Sequence, residues 1–404
     1  MNKIQTSDPI VIVAATRTAM GAFQGVFNST SAPKLGAAVI AELVNKTQID
    51  KQLISEVMMG CVLPAGLGQA PARQAALAAN LPNNIPCTTI NKMCGSGLKT
   101  IVLGYNSILA DQEKVIIAGG MENMTLAPYL IPGARAGLRL GHAKVIDHMF
   151  YDGLEDAYNP GLLMGHFAER TAKKYNFSRV MQDEFAYTSA TRALNAIEKN
   201  IFNSEIAEVC VQVKGQANII NVDEVPTKIN LAKIPQLKPA FCLPNENLDQ
   251  ATVTAANSSS IADGAAAVML MRSSKAKSLN LQPIAKILGY SEVAHEPEWF
   301  TTAPVAALKK LSSQIDLDLH DVDLYEINEA FAVVTMAALH DLKLDPEKVN
   351  VHGGACALGH PIGASGARVI VTLLNALKQK QLSRGMASVC IGGGEALAIA
   401  VELL

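Results

Sequence analysis

Short apolar runs bounded by Gly, Asp or Asn recur along the chain at residues 10–15, 115–118, 265–271, 324–327, 389–391 and 396–402. They are too short and too continuous for surface helices, and they suit strands buried on both faces. Helical patterns lie between them: after Cys94, apolar residues recur three and four apart at Leu98, Ile101, Val102, Tyr105, Ile108 and Leu109. Strands alternating with amphipathic helices read as an α/β fold.

A weak internal repeat sharpens this reading. Residues 96–102 (SGLKTIV) resemble 365–371 (SGARVIV), and the strand run 115–120 (VIIAGG) resembles 389–394 (VCIGGG). As a true repeat it implies two similar α/β halves facing each other; taken alone, chance similarity explains it as well. The intervening stretch 122–246 differs in character, rich in Met, Gly, Asn and charged residues, with prolines at 128, 132, 160, 226, 235, 239 and 244. It reads as an insertion lying over a site. The expected division is an N-terminal half at 1–121 completed by 247–271, a loop domain at 122–246, and a C-terminal half at 272–404. One boundary falls near Met121, where a strand ends, and another near Arg272, where Ser-Ser-Lys-Ala-Lys-Ser suggests a link.

Composition excludes several functions. The 404 residues include 49% hydrophobic and 17% charged, a core-rich profile of two to three domains, and a net charge of -2 offers no general attraction for nucleic acid or anionic membrane. No apolar run approaches the ~18 residues of a membrane span. Seven cysteines, odd in number and scattered, form no disulfide framework. The N-terminus has no apolar signal region or Arg-rich transit pattern, and Val-Glu-Leu-Leu at the end is no peroxisomal address. The expected location is cytoplasmic.

Four short segments carry candidate chemistry. Asn91-Lys92-Met93-Cys94-Gly95-Ser96-Gly97 sets a cysteine at a helix start, where free N–H groups and the helix dipole favour a thiolate; a small buried cysteine fits the same place. In His352-Gly353-Gly354-Ala355-Cys356-Ala357-Leu358-Gly359-His360, the spacing suggests a metal only if the segment is helical, and its glycines argue against that. No metal is expected. His360, between Gly359 and Pro361, suits a fixed imidazole. Cys390-Ile391-Gly392-Gly393-Gly394 ends a strand with a thiol beside uncovered N–H groups, which describes an oxyanion site or a glycine-rich hairpin equally well. Asn328-Glu329-Ala330-Phe331-Ala332 also fits a helix cap formed by Asn328.

Occurring in this order, the four segments closely resemble the thiolase family. Arg17-Thr18, Gly119-Gly120-Met121-Glu122-Asn123-Met124 and Thr254-Ala255-Ala256-Asn257-Ser258-Ser259 extend the resemblance along the whole chain. It implies duplicated α/β halves in α-β-α-β-α layers with an inserted loop domain. It further implies an acyltransferase that joins two acetyl-CoA into acetoacetyl-CoA, or cleaves 3-ketoacyl-CoA with CoA. Carried over by position, Cys94 takes the acyl group, His360 activates it, Cys390 shuttles a proton and Asn328 holds a catalytic water. The N–H groups of Cys94 and Gly392 hold the acyl-enzyme carbonyl; His360 and the Asn328-bound water hold the enolate. Ser259, Met164 and Phe331 match positions lining the CoA channel, and Leu163, Ala330, Phe300 and Lys228 complete the expected CoA- and substrate-facing set.

The resemblance implies no cofactor beyond CoA as substrate or product, and a homo-oligomer, dimer or tetramer. Residues 127–165 resemble the covering loop of short-chain members. The chain departs from them at Leu163, where many have His, and at Trp299-Phe300-Thr301-Thr302, which is bulkier. The alternatives are a broad-range degradative thiolase, a ketoacyl synthase and a non-catalytic acyl-CoA-binding protein. Cys390 and the Asn-Glu-Ala-Phe segment disfavour the synthase, and the presence of all four catalytic residue types disfavours the last.

Overall fold

The computed structural model describes residues 8–213, 215–243 and 246–404. The segment read for leader signals, 1–7, and Pro244 lie outside the described residues. Nine strands form its frame: β1 (Ile10–Thr18), β2 (Glu56–Gly60), β3 (Cys87–Ile90), β4 (Ile116–Asn123), β5 (Ala262–Arg272), β6 (Ala285–Ala294), β7 (Leu324–Ile327), β8 (Arg384–Ile391) and β9 (Glu395–Leu403). The principal helices are α1 (Ala32–Thr47), α2 (Pro71–Ala78), α3 (Ser96–Ala110), α4 (Met164–Tyr175), α5 (Arg179–Glu198), α6 (Ala303–Ile315), α7 (Ala332–Leu342) and α8 (Ser365–Lys380).

The repeat is structural. In the N-terminal half, β1 pairs antiparallel with β5, β5 antiparallel with β4, and β4 parallel with β2. In the C-terminal half, β6, β9, β8 and β7 follow the same order with the same directions. Even the irregularities correspond, since the first strand of each half carries a register shift, at Ile12/Ala14 and at Ile287/Gly289. The halves join edge to edge over just two residue pairs, Val11↔Lys286 and Ile12↔Ala285. From there the sheets diverge around α3 and α8.

Strand alternation sorts the side chains into three cores. Val57, Ile117, Met121 and Met269 pack under α1 and α2. Ile116, Ala118, Val268, Ala387, Val389 and Ile399 face α3 and α8 from opposite sides. Met386, Ala398 and Ala400 meet α6 and α7. The resulting layers are α-β-α-β-α. The two central helices approach at the glycines of the repeat: a Cβ on Gly97 would lie 2.8 Å from Ala367 N, and one on Gly366 would lie 2.4 Å from Leu98 N.

The stretch between β4 and β5 packs over one end of this frame with α4, α5 and two small hairpins. A buried ion cluster ties it to β1. Arg17 binds Asp223 through both terminal nitrogens (2.7 and 2.9 Å) and Glu205 through Nε (2.6 Å), with Phe202 beneath its guanidinium at 4.8 Å. Burial works against the Arg17 charge, but Asp223 and Glu205 outweigh it and raise its pKa.

Three strands of the nine-strand frame escape the sequence reading. Glu56–Gly60 is short, Cys87–Ile90 holds two threonines on a half-exposed edge, and Ala285–Ala294 is half polar and bulged. β4 also runs two residues past Met121, held by the pair Asp263↔Asn123. The Ser-Ser-Lys-Ala-Lys-Ser link is a short helix, Ser273–Ser278.

Candidate active site

The turn before α3 is built by its own side chains. Asn91 Oδ1 accepts from Met93 N–H (3.0 Å), while Ser96 Oγ accepts from Lys92 N–H (2.8 Å) and donates to the Met93 carbonyl (2.7 Å). These bonds hold Met93 at φ 46°, a left-handed conformation rare for such a residue, and set Cys94 off the end of a helix that begins at Ser96. The Cys94 sulfur receives the N–H groups of Gly392 and of Cys94 itself. Those two N–H groups favour the charged form, but loss of water contact outweighs them and pushes the thiol up to about 11.

Gly392 occupies its place because β8 and β9 form a hairpin closed by Gly392-Gly393-Gly394, the last two at φ 95° and 90°. Both local readings of this segment therefore hold together, since the glycine turn is what aims an N–H at Cys94. Lys92 pairs with Glu395 and ties this hairpin to the turn before α3. Cys390, fully buried on β8, faces Cys94, and burial together with that neighbour pushes its thiol upward.

Opposite lies His360, on the irregular loop between a single turn, Ala355–Leu358, and α8. Its N–H donates to Ser260 O (2.9 Å), and its Nδ1 bonds Ser365 Oγ at 2.5 Å. Ser365 Oγ also reaches Pro361 O (3.0 Å). Nε2 is buried without a partner among the described residues, as is Asn328 Oδ1, and the Asn328 amide nitrogen stands 3.5 Å from Nδ1. Burial, reinforced by Arg368, lowers His360 to about 3, so the imidazole is neutral near pH 7.

Asn328 is not a helix cap. Its N–H donates to Ser388 O, and α7 starts later, capped by Phe331. Glu329 locks the adjoining loops instead, accepting from Asn350 Nδ2 (2.8 Å), Ser189 Oγ (2.8 Å) and Cys356 N–H (3.1 Å). Cys356 is thus held under Glu329, while His352 packs edge-on against Phe202. Among the described residues no group of three His, Cys, Asp or Glu is arranged to hold a metal.

Cys94, His360 and Gly392 line a cavity of about 620 Å³ that is mostly apolar. Leu163, Met164, Phe300, Ala330, Phe331, Ser259 and Lys228 line it as well. Phe150, Leu154 and Phe241, unremarked in the sequence, complete the wall from the covering stretch. Asn257 holds the Ser259 side in place, accepting Thr254 N–H (2.7 Å) and donating to Asp183 (3.0 Å) on α5. Such an enclosure suits a flexible acyl chain with a polar head, with the sulfur and imidazole on its wall.

Two family models match in succession: the thiolase N-terminal domain over residues 10–274 and the thiolase C-terminal domain over 281–403. The chain belongs to the thiolase family. This thiolase is 47% identical over 392 residues to an acetyl-CoA acetyltransferase of Pseudomonas aeruginosa, covering 96% of this chain and 98% of that one. It is 47% identical over 396 residues to an acetyl-CoA acetyltransferase of Cupriavidus necator, covering 97% and 99%. Among solved structures it superimposes on the Bacillus anthracis acetyl-CoA acetyltransferase with a TM-score of 0.94 at 37% identity, covering 98% of this chain and 99% of that one. The Acat5 thiolase from Ascaris suum in complex with coenzyme A gives 0.91 at 40% identity, covering 98% and 100%.

Ser365 and Glu122 are the site-supporting residues that the sequence reading left without a role. Both lie inside quoted motifs, and a charged or hydroxyl residue embedded among glycines was the available signal.

Proposed function

We propose that this thiolase catalyses the reversible condensation of two acetyl-CoA to acetoacetyl-CoA and CoA through an acyl group carried on Cys94. One observation carries the reading. The Cys94 sulfur, the backbone N–H groups of Cys94 and Gly392 and a neutral imidazole with an unpartnered nitrogen meet on the wall of an apolar cavity, with a second thiol buried beside Cys94.

With thiol and imidazole both neutral at rest, His360 Nε2 takes the Cys94 proton as the sulfur attacks the thioester carbonyl. The oxyanion is held by the N–H groups of Cys94 and Gly392, and the departing CoA thiolate takes the proton of Cys390, which is left as a thiolate. A second acetyl-CoA then enters. The Cys390 thiolate removes its α-proton, and His360 Nε2–H with a water on Asn328 holds the enolate oxygen while the carbon attacks the acyl-enzyme; Cys94 then leaves as a thiolate and takes its proton back from His360. Ser365 suits both steps, because its hydroxyl can accept from or donate to Nδ1 and so lets Nε2 act as acceptor or donor. Thiolysis is the same sequence reversed.

The chemistry needs no cofactor beyond CoA itself, and the assignment of Ser259, Met164, Phe331, Ala330 and Lys228 to CoA is part of this proposal. We also place the enzyme in the cytoplasm, in acyl-CoA metabolism; among the described residues no helix is long and apolar enough to cross a membrane. A homo-oligomer is supported by the arm from 126 to 158, whose Tyr129, Leu140 and Val145 are 68%, 98% and 61% exposed. A monomeric mass by light scattering counts against it.

The test of the reaction is direct. Incubation with acetyl-CoA, an acid quench and peptide mass mapping should place an acetyl group on Cys94. Acetylation confined to another cysteine, or none, refutes the mechanism.

A further inference from the structure

Glu122 is the penultimate residue of β4 in the N-terminal half, fully buried, and neither step above uses it. Its partners are donors of the main chain rather than a cation. Oε2 accepts from Val62 N–H (2.9 Å) and Gly363 N–H (2.9 Å). Oε1 accepts from Leu63 N–H (3.2 Å) and lies 3.6 Å from the Cys61 thiol. Burial raises its pKa to about 7, against three backbone N–H groups that lower it.

These donors come from two separate walls of the site. Val62 and Leu63 follow β2, whereas Gly363 ends the irregular loop that carries His360 and Ile362. Val62, Leu63 and Ile362 form, with Met124 and Met149, the apolar cluster against which Met93 and Cys94 pack. One carboxyl group therefore fixes the spacing between the wall behind the sulfur and the loop bearing the imidazole. The loop is itself neither helix nor strand; it packs against Gly60 and Gly120, and point hydrogen bonds fix its register: Ser260 at His360 N–H, Ser365 at Nδ1 and Glu122 at Gly363.

We propose that Glu122 is a positioning residue for the reaction, holding the His360 loop in register with Cys94 through the N–H groups of Gly363, Val62 and Leu63. The inference rests on the thiolase mechanism given above. Proton transfer from Cys94 and support of the enolate both require His360 within hydrogen-bond reach, and a misplacement of about 1 Å costs on the order of 100-fold in rate. Glutamine fills the same volume, but its amide nitrogen donates. Whichever way the amide turns, at least one of the three N–H groups then faces another donor.

The experiment compares the parent enzyme with Glu122→Gln in thiolysis of acetoacetyl-CoA by CoA, with kcat expressed per folded molecule from circular dichroism. We expect kcat to fall roughly 10–100-fold. KM for CoA should stay within about threefold, because Lys228, Ser259 and Phe331 on the cavity wall do not touch Glu122. A purely structural role lowers the folded fraction and leaves both constants of the folded enzyme unchanged. If Glu122→Gln does not accumulate as folded protein, Glu122→Asp carries the same expectation, since it keeps the charge but withdraws it from Gly363. A kcat within twofold of the parent, or a loss confined to KM, overturns the positioning role. An inactive parent refutes the proposed function instead, so the two failures are distinct.

Discussion

Cys94, half-buried, and Cys390, fully buried, are both thiols pushed above their ordinary range, yet their surroundings differ. Cys94 faces the cavity and receives two N–H groups; Cys390 is fully enclosed beside it. An acyl group formed on Cys94 has donors waiting for its carbonyl, whereas one on Cys390 has no room. Cys390→Ala should therefore still take up an acetyl group on Cys94 while carbon–carbon chemistry falls about 10²–10⁴-fold, the usual cost of losing a proton-transfer group. Paired measurements of acetyl-Cys94 yield and condensation rate check this, and near-parental condensation would make Cys390 a structural residue.

At the scale of elements, α3 and α8 approach so closely that side chains are excluded at their contact. A methyl group at Gly366 would sit 2.4 Å from a main-chain nitrogen, which cannot move without shifting α3 and with it the turn that presents Cys94. Gly366→Ala should cost about 1–3 kcal/mol or more, seen as a lowered melting temperature. An unchanged melting temperature would mean that the helices slide apart freely. The covering stretch sets a different limit. Leu163, Phe300, Phe241 and Leu154 close the cavity with bulk, so thiolysis should be most efficient on acetoacetyl-CoA and drop at least tenfold, about 1.4 kcal/mol, by an eight-carbon chain. One added methylene changes binding by only about 1–3 kcal/mol, so slightly longer or α-methylated substrates should retain activity. A flat or rising profile across 3-ketoacyl-CoA lengths would identify a broad degradative enzyme.

Over the whole molecule, buried ionisable groups give stability a definite pH dependence. Burial pushes Glu122, Glu326 and Asp263 up to about 7, 8 and 6. The folded chain keeps protons there that the unfolded chain has already released, so the stability these groups add at low pH is lost as pH rises through those values. Burial lowers His352 and His360 to about 4 and 3, so their cost appears as pH falls below their ordinary 6.5. The two trends oppose each other below pH 6.5; above it the carboxyl groups act alone. The melting temperature should fall between about pH 6.5 and 8.5. A rise across that interval in a calorimetric series would contradict these assignments.

The order of the motifs and the runs of residues buried on both faces made the α/β class, the duplication and the family legible in the sequence, because buried strands and sharp turns restrict composition locally. Cys94, His360, Cys390, Asn328 and Gly392 stood in such segments. Other features depended on partners far along the chain. The polar strand Ala285–Ala294 is recognisable from its pairing with β9, and Asn328 caps nothing because α7 begins only at Ala332 and its Oδ1 accepts no bond among the described residues. The protonation of Cys94 followed the same rule, since nearby N–H groups favour a thiolate but the water lost from its sulfur in the fold outweighs them. Glu122 meets Val62 and Gly363 across 60 and 241 residues of chain. Burial and hydrogen-bond satisfaction are properties of the assembled chain, and they decided how the residues present in the sequence are charged, spaced and aimed.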